Sequence, residues 1–387
     1  MIINFDNSAT TFPKPLSVRK AVSYAMEHYG GNAGRGGHQL SMATSQAVFR
    51  ARETIADFFD ASPENVIFTL NCTYALNIAI RGVMTEGGHL IISSLEHNSS
   101  ARPATELAMN KRIALSVATV YDDDNKTIAS FRKLIRPDTK AIVCTLASNV
   151  TGQILPYKEL AELCRQHNIC FIADGAQACG ILDIRLSHGI NILCTSGHKG
   201  LYGITGTGLL VTDGKFPIKP IITGGTGSLS QSLKQPDFLP DCLESGTVNV
   251  IGIHSLKAGV DFISNTGTER IFNHEKAVCD RFIRELSKIP SVTVYRKPQC
   301  RYIPIVSFNV NGFSPEETAS YLSQRGFCLR AGFHCAPLAH SSLGTENGTV
   351  RFSPSYFSRL SDAVALANSI KNIADLKKSQ KTIEITS

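Results

Sequence analysis

The chain has 387 residues, 43% hydrophobic and 18% charged, which is length for two or three domains with real cores; a disulfide-stapled module and a disordered chain are both excluded. Thirty-nine basic against 32 acidic side chains give +7 at pH 7, but the basic residues are scattered and never alternate with aromatics in a run, so no nucleic-acid partner is expected. Eleven cysteines, odd in number and without C-x-x-C pairs, speak for a reducing cytoplasm and against a zinc site. Met1 to Thr11 lacks a basic start followed by an apolar core, and runs such as Ala141 to Leu146 are too short to cross a bilayer, so neither a signal peptide nor a membrane span is expected.

From residue 65 to 212, short β-branched runs alternate with helical stretches. Strands are expected at Val66 to Thr69, Leu90 to Ser93, Ile113 to Thr119, Ala141 to Ala147, Cys170 to Asp174 and Ile192 to Ser196. Helices fall between them at Tyr74 to Met84, Ser100 to Asn110, Ile128 to Ile135 and Pro156 to His167. Such alternation means crossovers and a mostly parallel sheet covered on both faces, with ligands at the carboxyl ends of the strands. A Gly/Ser/Pro-rich loop follows from Gly224 to Pro240, then a helix from Val250 to Ser264. The remainder reads as α+β: helix Arg270 to Lys288, strands Val292 to Tyr295 and Ile303 to Val310, helix Ser314 to Arg325 and a last helix Asp362 to Asp375. The expected organisation is a large α/β domain, 15–262, and a smaller C-terminal domain, 263–387, joined by the N-terminal segment 1–14.

Two residues carry the chemistry of the large domain. Asp174 closes an apolar strand, and one strand later Ser196-Gly197-His198-Lys199 delivers a lysine to the same edge. A carboxylate that can keep a pyridinium nitrogen protonated and an amine that can bond to an aldehyde are the groups a pyridoxal phosphate site needs. Thr73 opens a helix, where free N–H groups and the positive dipole end favour an anion. Most cysteines, among them Cys144, Cys170 and Cys194, sit in apolar strands as small hydrophobes. Cys335 differs: it lies in a Gly-containing loop, five residues after Arg330 and next to His334, cationic company that favours a nucleophilic thiolate.

The chain resembles the class V aminotransferase family of fold-type I pyridoxal phosphate enzymes, in its cysteine desulfurase and selenocysteine lyase branch. The likeness runs through Asp6-Asn7-Ser8-Ala9-Thr10-Thr11, Asn32 to Ser41, Asn71-Cys72-Thr73, Glu96-His97-Asn98, Ser148 to Gly152, Asp174 to Ala178, Ser196 to Lys199, Glu244-Ser245-Gly246-Thr247 and Arg330 to Ala336. It implies that Lys199 bonds pyridoxal 5′-phosphate, that Asp174 holds the ring nitrogen, and that His97 lies over the ring and relays protons. Asn149 and Gln177 would hold the phenolic oxygen or orient substrate. Thr73, Cys72, Ser196 and His198 would form the phosphate cup, and Thr247 would reach it from a partner subunit, so a homodimer with shared active sites is implied. Arg351, with Arg330 beside it, would clasp the α-carboxylate of L-cysteine or L-selenocysteine, and Cys335 would take the sulfur. A protein acceptor of that sulfur stays open as a further partner.

Three departures stand out. The lysine turn, His198-Lys199-Gly200-Leu201-Tyr202-Gly203-Ile204, is one residue longer than the common form; Cys72 replaces a threonine, and Tyr74 an acidic residue. The leading expectation is desulfuration of cysteine to alanine with a persulfide on Cys335. The alternative is another reaction of this scaffold, an aminotransferase, epimerase or desulfinase, with Cys335 incidental. An iron–sulfur carrier is a third reading, disfavoured by the absence of paired cysteine spacing.

Overall fold

The computed structural model describes residues 2–34 and 36–386, and the chain divides into two units. The larger comprises Lys14–Leu146 and Leu155–Thr268; the smaller comprises Met1–Pro13, Ala147–Ile154 and Glu269–Ser387. The segment Ala147–Ile154, placed by the sequence reading within the large domain, groups with the smaller unit.

The elements, in chain order, are β1 (Ile3–Asn4), α1 (Leu16–His28), α2 (Gln39–Phe59), β2 (Val66–Thr69), α3 (Cys72–Val83), β3 (His89–Ser93), α4 (Asn98–Met109), β4 (Ala114–Ala118), α5 (Asp124–Leu134), β5 (Thr139–Thr145), α6 (Tyr157–Gln166), β6 (Cys170–Asp174), β7 (Ile192–Ser196), β8 (Gly208–Thr212) and α7 (Val250–Thr266). They continue with α8 (Thr268–Leu286), β9 (Val292–Val294), β10 (Val306–Val310), α9 (Pro315–Ser323), β11 (Phe327–Cys328), β12 (Arg330–Gly332), α10 (Pro337–Leu343), β13 (Thr349–Phe352) and α11 (Leu360–Thr386).

The larger unit is built on a seven-stranded sheet of order β2-β8-β7-β6-β5-β3-β4. Pairs β7/β6, β6/β5, β5/β3 and β3/β4 are parallel, while β8 runs antiparallel to both neighbours. The central strands read as unbroken apolar runs because both faces are covered: every residue of β3, β5 after Lys140, β6, β7 and β8 is buried. Register puts Thr145 beside Asp174 and Asp174 beside Cys194, so the carboxyl ends of β5, β6 and β7 share one edge. Asn71 N-caps α3 by accepting from the Tyr74 N–H at 2.9 Å. Gly208 is required there, since a Cβ on it would lie 2.4 Å from the Asn71 carbonyl carbon.

In the smaller unit an antiparallel sheet, β12-β13-β10-β9, is accompanied by a parallel pair, β1-β11. Helix α8 presents Ile271, Val278, Phe282 and Leu286 on one stripe, at helical spacing. Phe282 stacks on Phe352 at 4.1 Å and meets Phe308 edge-on at 5.6 Å, pairs worth about 0.5 to 1.5 kcal/mol each beyond their buried area. Helix α9 begins with a full capping box between Ser314 and Glu317. No helix among the described residues is long and apolar enough to cross a membrane.

Candidate active site

At the carboxyl edge of the large sheet, Asp174 is 3% exposed and ends β6. Its Oδ1 accepts from the Ala176 N–H at 2.9 Å and from the Cys72 thiol at 3.4 Å. Both contacts fall on one oxygen, which leaves Oδ2 for a further donor. Burial pushes the Cys72 thiol pKa well up, the Asp174 charge pushes it further, and Lys199 counteracts, so Asp174 and Lys199 converge on this sulfur. Ser196 ends β7 and is buried; the turn after it carries His198 and Lys199, both half-buried. Gly197 is obligatory, because a Cβ there would lie 2.3 Å from Thr207 Oγ1.

Lys14 donates from Nζ to the His198 carbonyl at 2.8 Å, pinning the residue that precedes Lys199. Burial lowers the Lys14 pKa to about 8. Burial, then the charges of Lys199 and Lys14, lower His198 to about 4, so its ring is neutral near pH 7. His97 N-caps α4, its Nδ1 accepting from the Ser99 N–H at 3.0 Å, which places the ring proton on Nε2. Thr73 lies exposed in the first turn of α3, where backbone N–H groups have no helical acceptor, and Gln177 is half-buried just beyond Asp174.

Behind this edge Glu96 is fully buried. It accepts from Ser93 Oγ and Ser100 Oγ at 2.5 Å each and from the Thr145 N–H at 2.7 Å. Burial outweighs these donors and raises its pKa to about 7. Elsewhere in the unit, Glu244 forms a two-point pair with Arg52, 2.8 Å at each oxygen, and accepts from the Phe68 N–H at 2.6 Å. That anchor fixes the start of the loop whose Thr247 is exposed, within 3.4 Å of Asn32 Nδ2.

The smaller unit holds a second constellation. Arg351, on β13, is 1% exposed; its Nη1 donates to the Asn149 carbonyl at 3.0 Å and its Nη2 to Asp6 Oδ1 at 2.8 Å. Asn149 Nδ2 donates to the His334 carbonyl at 2.7 Å. Arg330, on β12, is the register partner of Arg351 and reaches Cys335 Sγ with Nη2 at 3.3 Å. His334 and Cys335 are consecutive residues with left-handed backbones, φ +50° and +57°, a conformation that costs non-glycine residues about 1 kcal/mol or more each. Cys335 is exposed, whereas the other ten cysteines are buried or half-buried.

The profile of the class V aminotransferases matches residues 3–366. The chain belongs to the class V aminotransferase family. A probable cysteine desulfurase of Methanothermobacter thermautotrophicus is 29% identical over 96% of this chain and 94% of its own length. A probable cysteine desulfurase of Halalkalibacterium halodurans is 32% identical over 85% of this chain and 83% of its own. Among solved structures, the apo cysteine desulfurase of Thermococcus onnurineus NA1 superposes with a TM-score of 0.90 at 28% identity, covering 97% of this chain and 95% of that one. The architecture is the fold-type I arrangement that the sequence predicts.

Within this class V chain the structure alters two expectations and shows the shape of the longer lysine turn. His334 supplies no positive charge to Cys335: it is 1% exposed, its Nε2 donates to the Thr349 carbonyl at 3.0 Å, and burial, then the charge of Arg351, lowers its pKa to about 2. Cys72 does not rim the mouth of α3; its thiol turns inward onto Asp174. The longer lysine turn packs tightly at Gly200, where a Cβ would lie 2.3 Å from the Cys179 carbonyl oxygen, and passes through Tyr202, which is buried with φ +59°. Asp6, Lys14, Glu96 and the Arg52–Glu244 pair were not singled out for a role. Asp6, Glu96 and Glu244 stand inside the quoted motifs, so their positions were a signal, whereas Lys14 had none.

Proposed function

We propose that this protein is a pyridoxal 5′-phosphate-dependent cysteine desulfurase that converts L-cysteine to L-alanine and leaves the sulfur as a persulfide on Cys335. The observation that carries the reading is the single exposed thiol held under Arg330, in the unit that also contains Arg351.

The large unit's donor set fits the cofactor. Asp174 keeps Oδ2 for a pyridinium N–H, Lys199 offers an amine for the aldehyde, and the first turn of α3 with Thr73, Ser196 and His198 suits a phosphate. When bound, the cofactor draws electrons from the substrate α-carbon. Lys199 then moves the α-proton, and His97 presents Nε2–H as a second proton donor. Arg351 binds the α-carboxylate through its guanidinium. The Cys335 thiolate attacks the substrate sulfur: an S–S bond forms, the Cβ–S bond breaks, and its electron pair stays on carbon, which takes up a proton to complete alanine. Arg330, donating to the sulfur at 3.3 Å, holds the thiol in place for this attack.

A homodimer is part of the proposal. The exposed Thr247 is accompanied by Leu70, Ile221 and Ile222, exposed by 56, 37 and 44%, apolar area that a second copy would cover. The test supplies the purified holoenzyme with L-cysteine and L-selenocysteine, quantifies alanine, and maps the persulfide by mass spectrometry. Alanine release with the extra sulfur on Cys335, lost in Cys335→Ala and in Lys199→Ala, supports the reading. Undiminished sulfur release by Cys335→Ala, or a persulfide on another cysteine, overturns it.

A further inference from the structure

We propose that Asp6 is a built-in carboxylate that holds Arg351 between turnovers and so keeps the product alanine from being retained; the proposal rests on the reading of Arg351 as the carboxylate clasp. Arg351 is a dry cation, 1% exposed, and its Nε, also buried, has no partner. An unpaired guanidinium in such a place is costly, because the water it has lost is replaced by nothing. Asp6 replaces it with one ionic contact, Oδ1 to Nη2 at 2.8 Å, and remains 27% exposed itself. The contact is delivered by a fixed backbone rather than a loose side chain. Asp6 bridges to Ser353, two positions beyond Arg351, and the hydrogen bonds Asn7 N–H to Ser353 carbonyl (3.2 Å) and Ser353 N–H to Phe5 carbonyl (2.7 Å) flank it.

The charge count explains why such a group is useful. Arg330 and Arg351 are register partners across β12 and β13, and Asp6 offsets one of the two positive charges before any ligand arrives. Cysteine and alanine carry the same α-carboxylate, so binding energy drawn from it tightens substrate and product alike and does nothing for the chemical step. Were Arg351 unpaired, every α-carboxylate would gain the full relief of a buried charge, and alanine would leave slowly. With Asp6 in place an incoming carboxylate only exchanges a one-point contact for its own, and the gain is small. Asp6 is therefore a positioning residue that sets amino-acid affinity through Arg351.

The test is calorimetric titration of the holoenzyme with L-alanine and with ethylamine, which is alanine without its carboxylate. Asp6→Asn should bind L-alanine about tenfold tighter than wild type, with ethylamine unchanged and Asp6→Glu close to wild type. Steady-state KM and kcat for L-cysteine should fall together in Asp6→Asn, as release becomes limiting. Asp6→Ser removes the same charge with a smaller side chain and is measured alongside, so one misfolded variant does not decide the outcome. Equal or weaker alanine binding by the folded charge-removing variants, or equal changes for alanine and ethylamine, overturns the proposal. Equal affinity of wild type for alanine and ethylamine would overturn the reading of Arg351, and the proposal with it.

Discussion

Arg330 holds its Nη2 3.3 Å from the sulfur of Cys335, and this contact, rather than the adjacent histidine, is the thiol's cationic company. The guanidinium N–H donates to the sulfur and so fixes where the nucleophile of the proposed reaction points. Arg330→Ala should slow persulfide formation on Cys335 from L-cysteine several-fold, with Arg330→Lys in between. Peptide mass spectrometry over a time course measures it; an unchanged rate of persulfide formation in Arg330→Ala would remove Arg330 from the account.

The Arg52–Glu244 pair makes a second prediction. Both side chains are 8% exposed, and removing one partner leaves the other charged and buried, a loss of about 3 to 5 kcal/mol. Arg52→Ala should therefore lower the denaturant midpoint strongly and weaken cofactor retention, since Glu244 fixes the loop that carries Thr247. The double variant Arg52→Met/Glu244→Gln should recover most of the stability. A double variant no more stable than Arg52→Ala would show that the pair is not the source of the loss.

The parts of this site legible in sequence are those set by strand order. Asp174 and Lys199 could be placed on one edge because the apolar runs of β6 and β7 are unambiguous and parallel strands deliver their ends together. The antiparallel course of β8 was not legible, because a five-residue apolar strand has the same pattern in either direction. His334 misled for a local reason. Sequence adjacency to Cys335 suggests a shared environment, yet two successive left-handed residues leave one side chain buried and the next exposed. Cys72 was read against the threonine it replaces, and its inward turn depends on the distant Asp174, which no local pattern encodes.

Glu96 gives the pH prediction. Its folded-state pKa is raised from 4.5 to about 7, burial being the main cause, so between those values the folded protein binds a proton that the unfolded chain has released. Stability from this group is thus fully present below about pH 4.5 and is lost as pH rises through about 7, a change of up to about 3 kcal/mol. The surroundings can accommodate the proton: Ser100 Oγ also lies 3.1 Å from the His97 carbonyl, so it can donate there while accepting from a protonated Oε2. Glu96→Gln, which has no charge to lose, should melt at nearly constant temperature from pH 5 to 8 relative to wild type, and the gap between them should widen in favour of the variant as pH rises from 5 to about 7 and stay level above that. Thermal unfolding of both proteins across that range measures it. Parallel pH profiles would mean that Glu96 titrates at its unfolded value, with its three donors outweighing the burial.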